Sequence, residues 1–462
     1  MDNRPNILFI SIDASRADHF SCYNKVKNVT PNIDRIANNG VLFENAISTA
    51  PWTPMSHASM FTGMHQVKHG MREGNMFLSN RWRTLAEVLQ DNGYHTVGID
   101  GNPYLNSVSG LSRGHIDYSE LWRKPRSISE YFSRTKSTIK AKMAGGGFLS
   151  IKMNEEVFNW LNKYNYEKPF YIFLQALEPH FAYRPPKRFK ERYVKEFSAE
   201  TNKMMNVIFS DYNLHNVKKV QLSSADLEHL YNLHTAELAY LDYKLEQIFS
   251  LLIKRGQFEN TIIIITTDHG EAFGEHGVFG HQFLLTNSLL HVPLIFHLPG
   301  QIPSGKRIKN LVQTSDIFPT IIDMVGLNPE LNTECMGVSL SSFEEQQYRD
   351  FAFAEYDSPV AKLKSFEKYE NVDVANYNRD LKMIQDLEWK YIWSSEGKCE
   401  LYKLNDDYEE QDNLFSTNRS KADEMEQRLF KWVEKYQVTD FEDEQGEEDQ
   451  EILDSLRKLG YI

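Results

Sequence analysis

Only three cysteines occur in 462 residues, Cys22, Cys335 and Cys399, odd in number and widely spaced. That excludes a disulfide framework and a cysteine-type zinc knuckle, and it fits a reducing compartment. Long apolar runs are also missing, since no stretch approaches the ~18 residues of a membrane helix. The opening MDNRP leads straight into an apolar strand without a basic and then an apolar leader, so the expectation is a soluble, cytoplasmic protein. Positive charge is in deficit: 51 Lys and Arg against 64 Asp and Glu give a net charge of −13, which argues against general nucleic-acid binding.

What is present is ample for a core, with 41% hydrophobic and 13% aromatic residues. The length predicts two or three domains, or one large α/β domain with an appendage. Apolar strands are read at Asn6–Asp13, Tyr94–Asn102, Pro169–His180, from Thr261, and at His291–Gly300. Between them lie segments of helical spacing, Arg83–Gly93, Asn154–Tyr164 and Ser224–Gly256. A shorter helix has Thr30 as N-cap, Pro31 in its first turn and Gly40 as its stop. This alternation predicts an α/β fold with a doubly wound, mostly parallel sheet.

From about Phe343 the pieces FAFAEY, KYIWSS and CELYKL read as a small antiparallel sheet. The expected division is a large domain over 1–342, a small C-terminal domain over 343–438, and an acidic linker with a terminal helix over 439–462. The basic stretch Leu121–Gly147 reads as a solvated helix face, or as a lid hinged at Gly145–Gly147 that steers an anionic substrate.

Chemistry concentrates at strand ends. Ligands of open parallel sheets bind beyond the carboxyl ends of the strands, so Asp13, Asn102, His180, Asp268 and His269 are expected to converge. Taken singly, a strand-end aspartate is most often a cap or turn residue, and a lone histidine is usually packed or solvated. Taken together, Asp13 with the Asp268–His269 pair makes a mixed oxygen and nitrogen set for a divalent cation. In APWTPMSHASMFTG, Thr53 precedes Pro54 and a helix that ends near Gly63. Its hydroxyl would sit at a helix N-terminus that favours an anion, or serve only as an N-cap.

The segments NILFISIDASRADHFSCY, TPMSHASMFTG, PFYIFLQALEPHFAYRPP, TIIIITTDHGEAFGEHG and the closing ELYKLNDDYEEQDNL resemble the sulfatase family of the alkaline phosphatase superfamily. The resemblance implies metal ligation by Asp13, Asp268, His269 and Thr53, with Thr53 also at the nucleophile position. It implies that His180 and His281 act on the leaving group or the equatorial oxygens, and that His57 and Asn102 bind substrate. Departures are specific. The cysteine, proline and arginine of the formylglycine motif are replaced by Thr53, Met55 and His57, Ala14 replaces a second aspartate, and His281 replaces a lysine.

Threonine cannot release sulfate by collapse to an aldehyde, so no formylglycine is expected and a phosphoryl-threonine ester is the favoured intermediate. One divalent ion is expected, Mn, Zn, Mg or Ca, with the histidine ligand favouring manganese or zinc. Histidines with pKa near ~6.5 supply only partial charge at neutral pH, which favours a singly charged centre. The preferred substrate is therefore a phosphodiester or phosphonate monoester, cleaved by hydrolysis or by phosphoryl transfer. The alternatives are a sulfatase that works without formylglycine and an inactive, anion-binding member of the fold. The sequence names no partner beyond an anionic ester and fixes no oligomeric state.

Overall fold

The structure, a computed structural model, describes residues 4–458 except 25–27, 126–127, 196–197, 329–333, 345, 347, 373, 375–376 and 439–448. Most of the expected acidic linker, and the final residues of the chain, lie outside the described residues.

The chain builds a large sheet from β1 (Asn6–Ile12), β2 (Val41–Ile47), β3 (His95–Asp100), β4 (Asp117–Glu120), β5 (Phe170–Ala176) and β6 (Thr261–Thr267). β7 (Ala272–Phe273) and β8 (Phe279–Gly280) form a short hairpin, and β9 (His291–His297) and β10 (Lys306–Gln313) complete the large sheet. Its order is β10-β2-β9-β6-β1-β5-β3-β4. All neighbours pair in parallel except β9, which runs antiparallel to both β2 and β6. β2, β4 and β10 are not legible as strands in the sequence, because they carry mixed polar residues such as Glu44, Asn45 and Lys309 towards the sheet edges.

The central strands are buried along their whole length, which is why TIIIITT has no polar alternation. Separate apolar clusters cover the two faces, one holding Ile262 and Ile264 and the other Ile263 and Ile265. Each buried isoleucine contributes about 1.5–3 kcal/mol. The long helix Ser224–Lys254 lies against the second face and starts with a full capping box between Ser223 and Asp226.

The helix at Pro31 corrects the expected cap. It spans Pro31–Asn38, but the Thr30 side chain makes no cap bond and hydrogen-bonds Asp34 instead. Asp242, on the long helix, takes the amides of Asn32 and Ile33 at 2.8–3.2 Å. A cap from a residue so distant in sequence leaves no local signature.

A second, antiparallel sheet contains β11 (Ala352–Tyr356), β12 (Leu381–Gln385), β13 (Trp389–Ser394) and β14 (Glu400–Lys403) in that order. β12 is the member missing from the sequence reading. One face packs on Ile47 and Leu311 of the large sheet and on Leu290 just before β9, and the other is covered by helix Arg419–Tyr436. No helix among the described residues is long and apolar enough to cross a membrane.

The basic segment forms helix Ile128–Ala144 and packs on helix Phe148–Lys163 beyond the β4 edge. Lys140 pairs with Glu155 at 2.5 Å, and Arg123 with Glu120 at 2.5 Å and Asp449 at 2.9 Å. Its glycines serve close packing rather than a hinge over the site: a Cβ on Gly147 would fall 2.2 Å from the Tyr240 ring, and one on Gly146 1.9 Å from the Arg184 carbonyl.

Candidate active site

Sheet register brings the first two acids together. Ile12 pairs with Thr267, so the next residues, Asp13 and Asp268, leave neighbouring strands at the same level. Ala14 then adopts φ of 49°, and its N–H donates to Asp268 Oδ1 at 3.2 Å, an oxygen that also accepts the His269 amide at 2.9 Å. Asp13 Oδ2 accepts from Asn102 Nδ2 at 2.7 Å and Gln175 Nε2 at 3.1 Å. Each carboxylate thus spends one oxygen on the protein. The other oxygens, Asp13 Oδ1 and Asp268 Oδ2, are buried without a hydrogen-bond partner.

His269 supplies the third donor. Its Nδ1 donates to the Gly270 carbonyl at 2.9 Å, which leaves a lone pair on Nε2. That nitrogen lies 3.8 Å from Asp13 Oδ1 and 3.6 Å from Asp268 Oδ2. One ligand atom from each of the three residues lies within 4.8 Å of the others, a spread that one cation can span at bond lengths of about 2.0–2.6 Å. Burial, followed by the charge of Asp268, raises the Asp13 pKa, and burial raises that of Asp268. Two orphaned carboxylate oxygens in a fully buried pocket are costly without a compensating charge, so the donor set fits a divalent ion.

Thr53 opens helix Thr53–Thr62, with Trp52 rather than Thr53 at the N-cap. Its hydroxyl is therefore not spent on capping. Thr53 Oγ1 lies 3.2 Å from His269 Nε2 and 3.5 Å from Asn102 Nδ2. The hydroxyls of Ser48 and Ser56 both donate to the Asp268 carbonyl, at 2.5 and 2.7 Å, tying this helix start to the Asp268 turn.

The structure brings Asp13, Thr53, Asn102, Asp268 and His269 together, and it revises two expected contacts. His57 lies behind Thr53, packed into the protein: Nδ1 meets the Thr53 carbonyl at 2.8 Å, and Nε2 meets Gln175 Oε1 at 3.0 Å and Ser11 Oγ at 3.2 Å. Burial lowers its pKa, opposed by Asp268 and by these acceptors. Asn102 is likewise turned to the protein, since its Oδ1 accepts the Tyr104 amide at 3.0 Å while its amide nitrogen holds Asp13.

His180 and His281 form a wall beside the cation point. The His281 ring stacks on His269 at 4.5 Å and lies 5.1 Å from the His180 ring. His281 Nδ1 is 3.3 Å from Glu271 Oε1. Burial, with the charge of His180, lowers the His281 pKa to about 3, so this imidazole is neutral rather than partly charged. Burial raises Glu271 to about 7.

Gln175, Ser11, Ser48, Ser56 and Glu271 escaped the sequence reading. Gln175 had a signal, as the single amide inside the buried strand FYIFLQA. The serines had none, because their partners are distant backbone and side-chain atoms.

The family profile described as sulfatase matches residues 5–327, and one described as N-sulphoglucosamine sulphohydrolase, C-terminal, matches 274–439. An N-acetylglucosamine-6-O-sulfatase of Bacteroides thetaiotaomicron is 21% identical, over 95% of this chain and 88% of that protein. An arylsulfatase of Clostridium perfringens is 23% identical over 93% and 95%. Among solved structures, the phosphonate monoester hydrolase of Agrobacterium radiobacter superposes with a TM-score of 0.75 at 22% identity, covering 94% of this chain and 96% of that one. Strand order, the buried Asp13–Asp268–His269 group and a profile match over most of the chain lead to one conclusion: this chain belongs to the sulfatase family, whose members are ester hydrolases.

Proposed function

We propose that the chain cleaves a phosphoester, a phosphodiester or phosphonate monoester by preference, through a covalent ester on Thr53. One observation carries the reading: the Thr53 hydroxyl lies 3.2 Å from the His269 nitrogen that completes the Asp13–Asp268–His269 donor set. Asp13, Asp268 and His269 would hold a cation there, which would supply polarisation of a non-bridging oxygen and a lowered pKa for the Thr53 hydroxyl.

Thr53, its hydroxyl proton released to water, forms a bond through Oγ1 to phosphorus in line with the departing oxygen, and the bond to that oxygen breaks. His180, on the wall beside the reacting centre, delivers the proton that the leaving oxygen needs, and His281 hydrogen-bonds an equatorial oxygen. Attack on phosphorus by water, or by an acceptor hydroxyl in a transfer reaction, then frees Thr53. Asn102 and Gln175 hold Asp13 in place, and His57 holds the Thr53 backbone, so these three act by positioning. A neutral His281 leaves the wall with less positive charge than a lysine there would give, which favours a singly charged centre over a dianionic monoester.

Hydrolysis of a sulfuric ester is the second reading. It is supported by the sulfatase relatives and by a structural neighbour of this chain that is described in complex with its substrate D-glucosamine-2-N,6-O-disulfate. Matched aryl phosphodiester, phosphonate, phosphomonoester and sulfate substrates, each assayed with Mn, Zn, Mg and Ca, separate the two. Turnover of sulfate alone sinks the first reading. Absence of turnover, together with no bound cation and no stabilisation by cations, favours an inert member of the fold. We assign the catalytic unit to 1–342 and, on the cysteine content, the cytoplasm as its compartment.

A further inference from the structure

Position 281 holds a histidine where the family resemblance puts a lysine, yet a lysine reaches the same wall from the C-terminal part of the chain. Lys362 lies in the short helix Val360–Ser365, between β11 and β12, and is only 2% exposed. Its Nζ donates to the Tyr212 hydroxyl at 2.7 Å and stands 4.5 Å from the centre of that ring. Tyr212 packs on Phe181, the neighbour of His180, at 5.3 Å. The Tyr212 ring edge and Glu271 Oε1 lie 3.5 and 3.7 Å from one point, the place of a Cβ on Gly280, the residue before His281. Lys362, Tyr212, Gly280, His281 and Glu271 thus form one continuous surface.

The helix is fixed there by contacts of its own. Ala361 N donates to Glu73 Oε1 at 2.9 Å, and Leu363 and Phe366 pack with Phe283 and Leu284, just after His281. Asp211, the acid beside Tyr212, is engaged by Lys368 Nζ at 2.7 Å and by the Tyr369 hydroxyl. Burial lowers the Lys362 pKa to about 7, offset by Asp211. A desolvated ammonium of this kind gains more from an anionic partner than an exposed one does.

We propose that Lys362 is an anion-binding residue of the active site, holding a non-bridging oxygen of the ester centre from the side that position 281 serves in relatives with lysine there. This rests on the ester-hydrolase reading above, and it deepens that reading by assigning the wall's cation to a residue outside the family motifs.

The test compares wild type, Lys362→Gln, Lys362→Arg and Lys368→Met, all loaded with Mn2+. Lys362→Gln keeps a donor for Tyr212 and removes the charge. Lys368→Met removes an equal charge from the same segment at an exposed site. Orthovanadate affinity by calorimetry, KM and kcat on the best ester, metal content and melting temperature are read for each. The expected result is a loss of orthovanadate affinity and a rise in KM of about 10- to 100-fold in Lys362→Gln, the worth of one charge-assisted hydrogen bond. Metal content should be unchanged, Lys362→Arg should regain much of the loss, and Lys368→Met should stay near wild type.

Unchanged orthovanadate affinity in a folded Lys362→Gln overturns the proposal, and so does an equal loss in Lys368→Met. If Lys362→Gln does not fold, reductive methylation of the wild type decides, because orthovanadate must then slow the labelling of Lys362 as read by mass spectrometry. If the wild type turns over no ester, the functional reading falls, while orthovanadate binding still judges Lys362.

Discussion

Thr53 Oγ1 sits 3.2 Å from His269 Nε2, the nitrogen whose lone pair is set by the bond from Nδ1 to the Gly270 carbonyl. The proposed nucleophile and the candidate cation ligand therefore share one point. Thr53→Ala is expected to fold and bind metal but to lose at least ~10³-fold in kcat, and Thr53→Ser to retain part of it. Single-turnover kinetics and melting temperature measure this. Substantial activity in a folded Thr53→Ala protein removes the covalent route.

Gln175 donates to Asp13 at 3.1 Å and faces His57 at 3.0 Å, so it joins the metal ligand to the support of the nucleophile. Gln175→Leu should weaken metal affinity by about 10- to 100-fold, the usual cost of losing a residue that orients a ligand. Titration with Mn2+ or Zn2+ checks it. A variant with wild-type affinity would show that Asn102 alone is enough to orient Asp13.

Asp242 caps helix Pro31–Asn38 from the long helix and is itself buried. Asp242→Ala should cost about 1–3 kcal/mol, since it strands two amide donors. Denaturant unfolding measures the loss, and kcat in the folded fraction should change little.

His69 is buried, with Met71 N–H donating to its Nδ1 at 3.1 Å and Ser59 Oγ 3.2 Å from its Nε2. Nδ1 must stay unprotonated to accept, and burial lowers the pKa to about 3. A histidine whose folded pKa is depressed contributes stability that is full above its unfolded value of ~6.5 and fades as pH falls towards the folded value, by up to ~1.4 kcal/mol per pH unit for one proton. His69→Gln should flatten the acid limb of the stability profile between those values. An identical slope in both proteins would exclude His69 from acid unfolding.

The lesson about legibility lies in where each signal is stored. The strand TIIIITT and its Asp268–His269 end could be read because burial on both faces forces a continuous β-branched run, and because strand ends of a parallel sheet face the ligand crevice. The sequence places Asn102 and His57 near the substrate, but the hydrogen bond of Asn102 to Asp13 is not legible there, since Asp13 belongs to another strand. The contacts of His57 with Gln175 and the Thr53 carbonyl likewise appear only in the folded chain.

Local residue chemistry therefore determined the α/β architecture and the donor types Asp13, Asp268 and His269, and the family resemblance added that position 53 carries a hydroxyl in place of the cysteine. Tertiary structure decided which carboxylate oxygens are left without protein partners, which histidine pKa values burial depresses, and that Lys362 meets Tyr212, which packs close to Gly280, the residue before His281. The reason is physical. Periodicity and strand ends are properties of neighbouring residues, whereas desolvation, hydrogen-bond partnership and charge placement depend on groups that meet only when the sheet register and the C-terminal segment are in place.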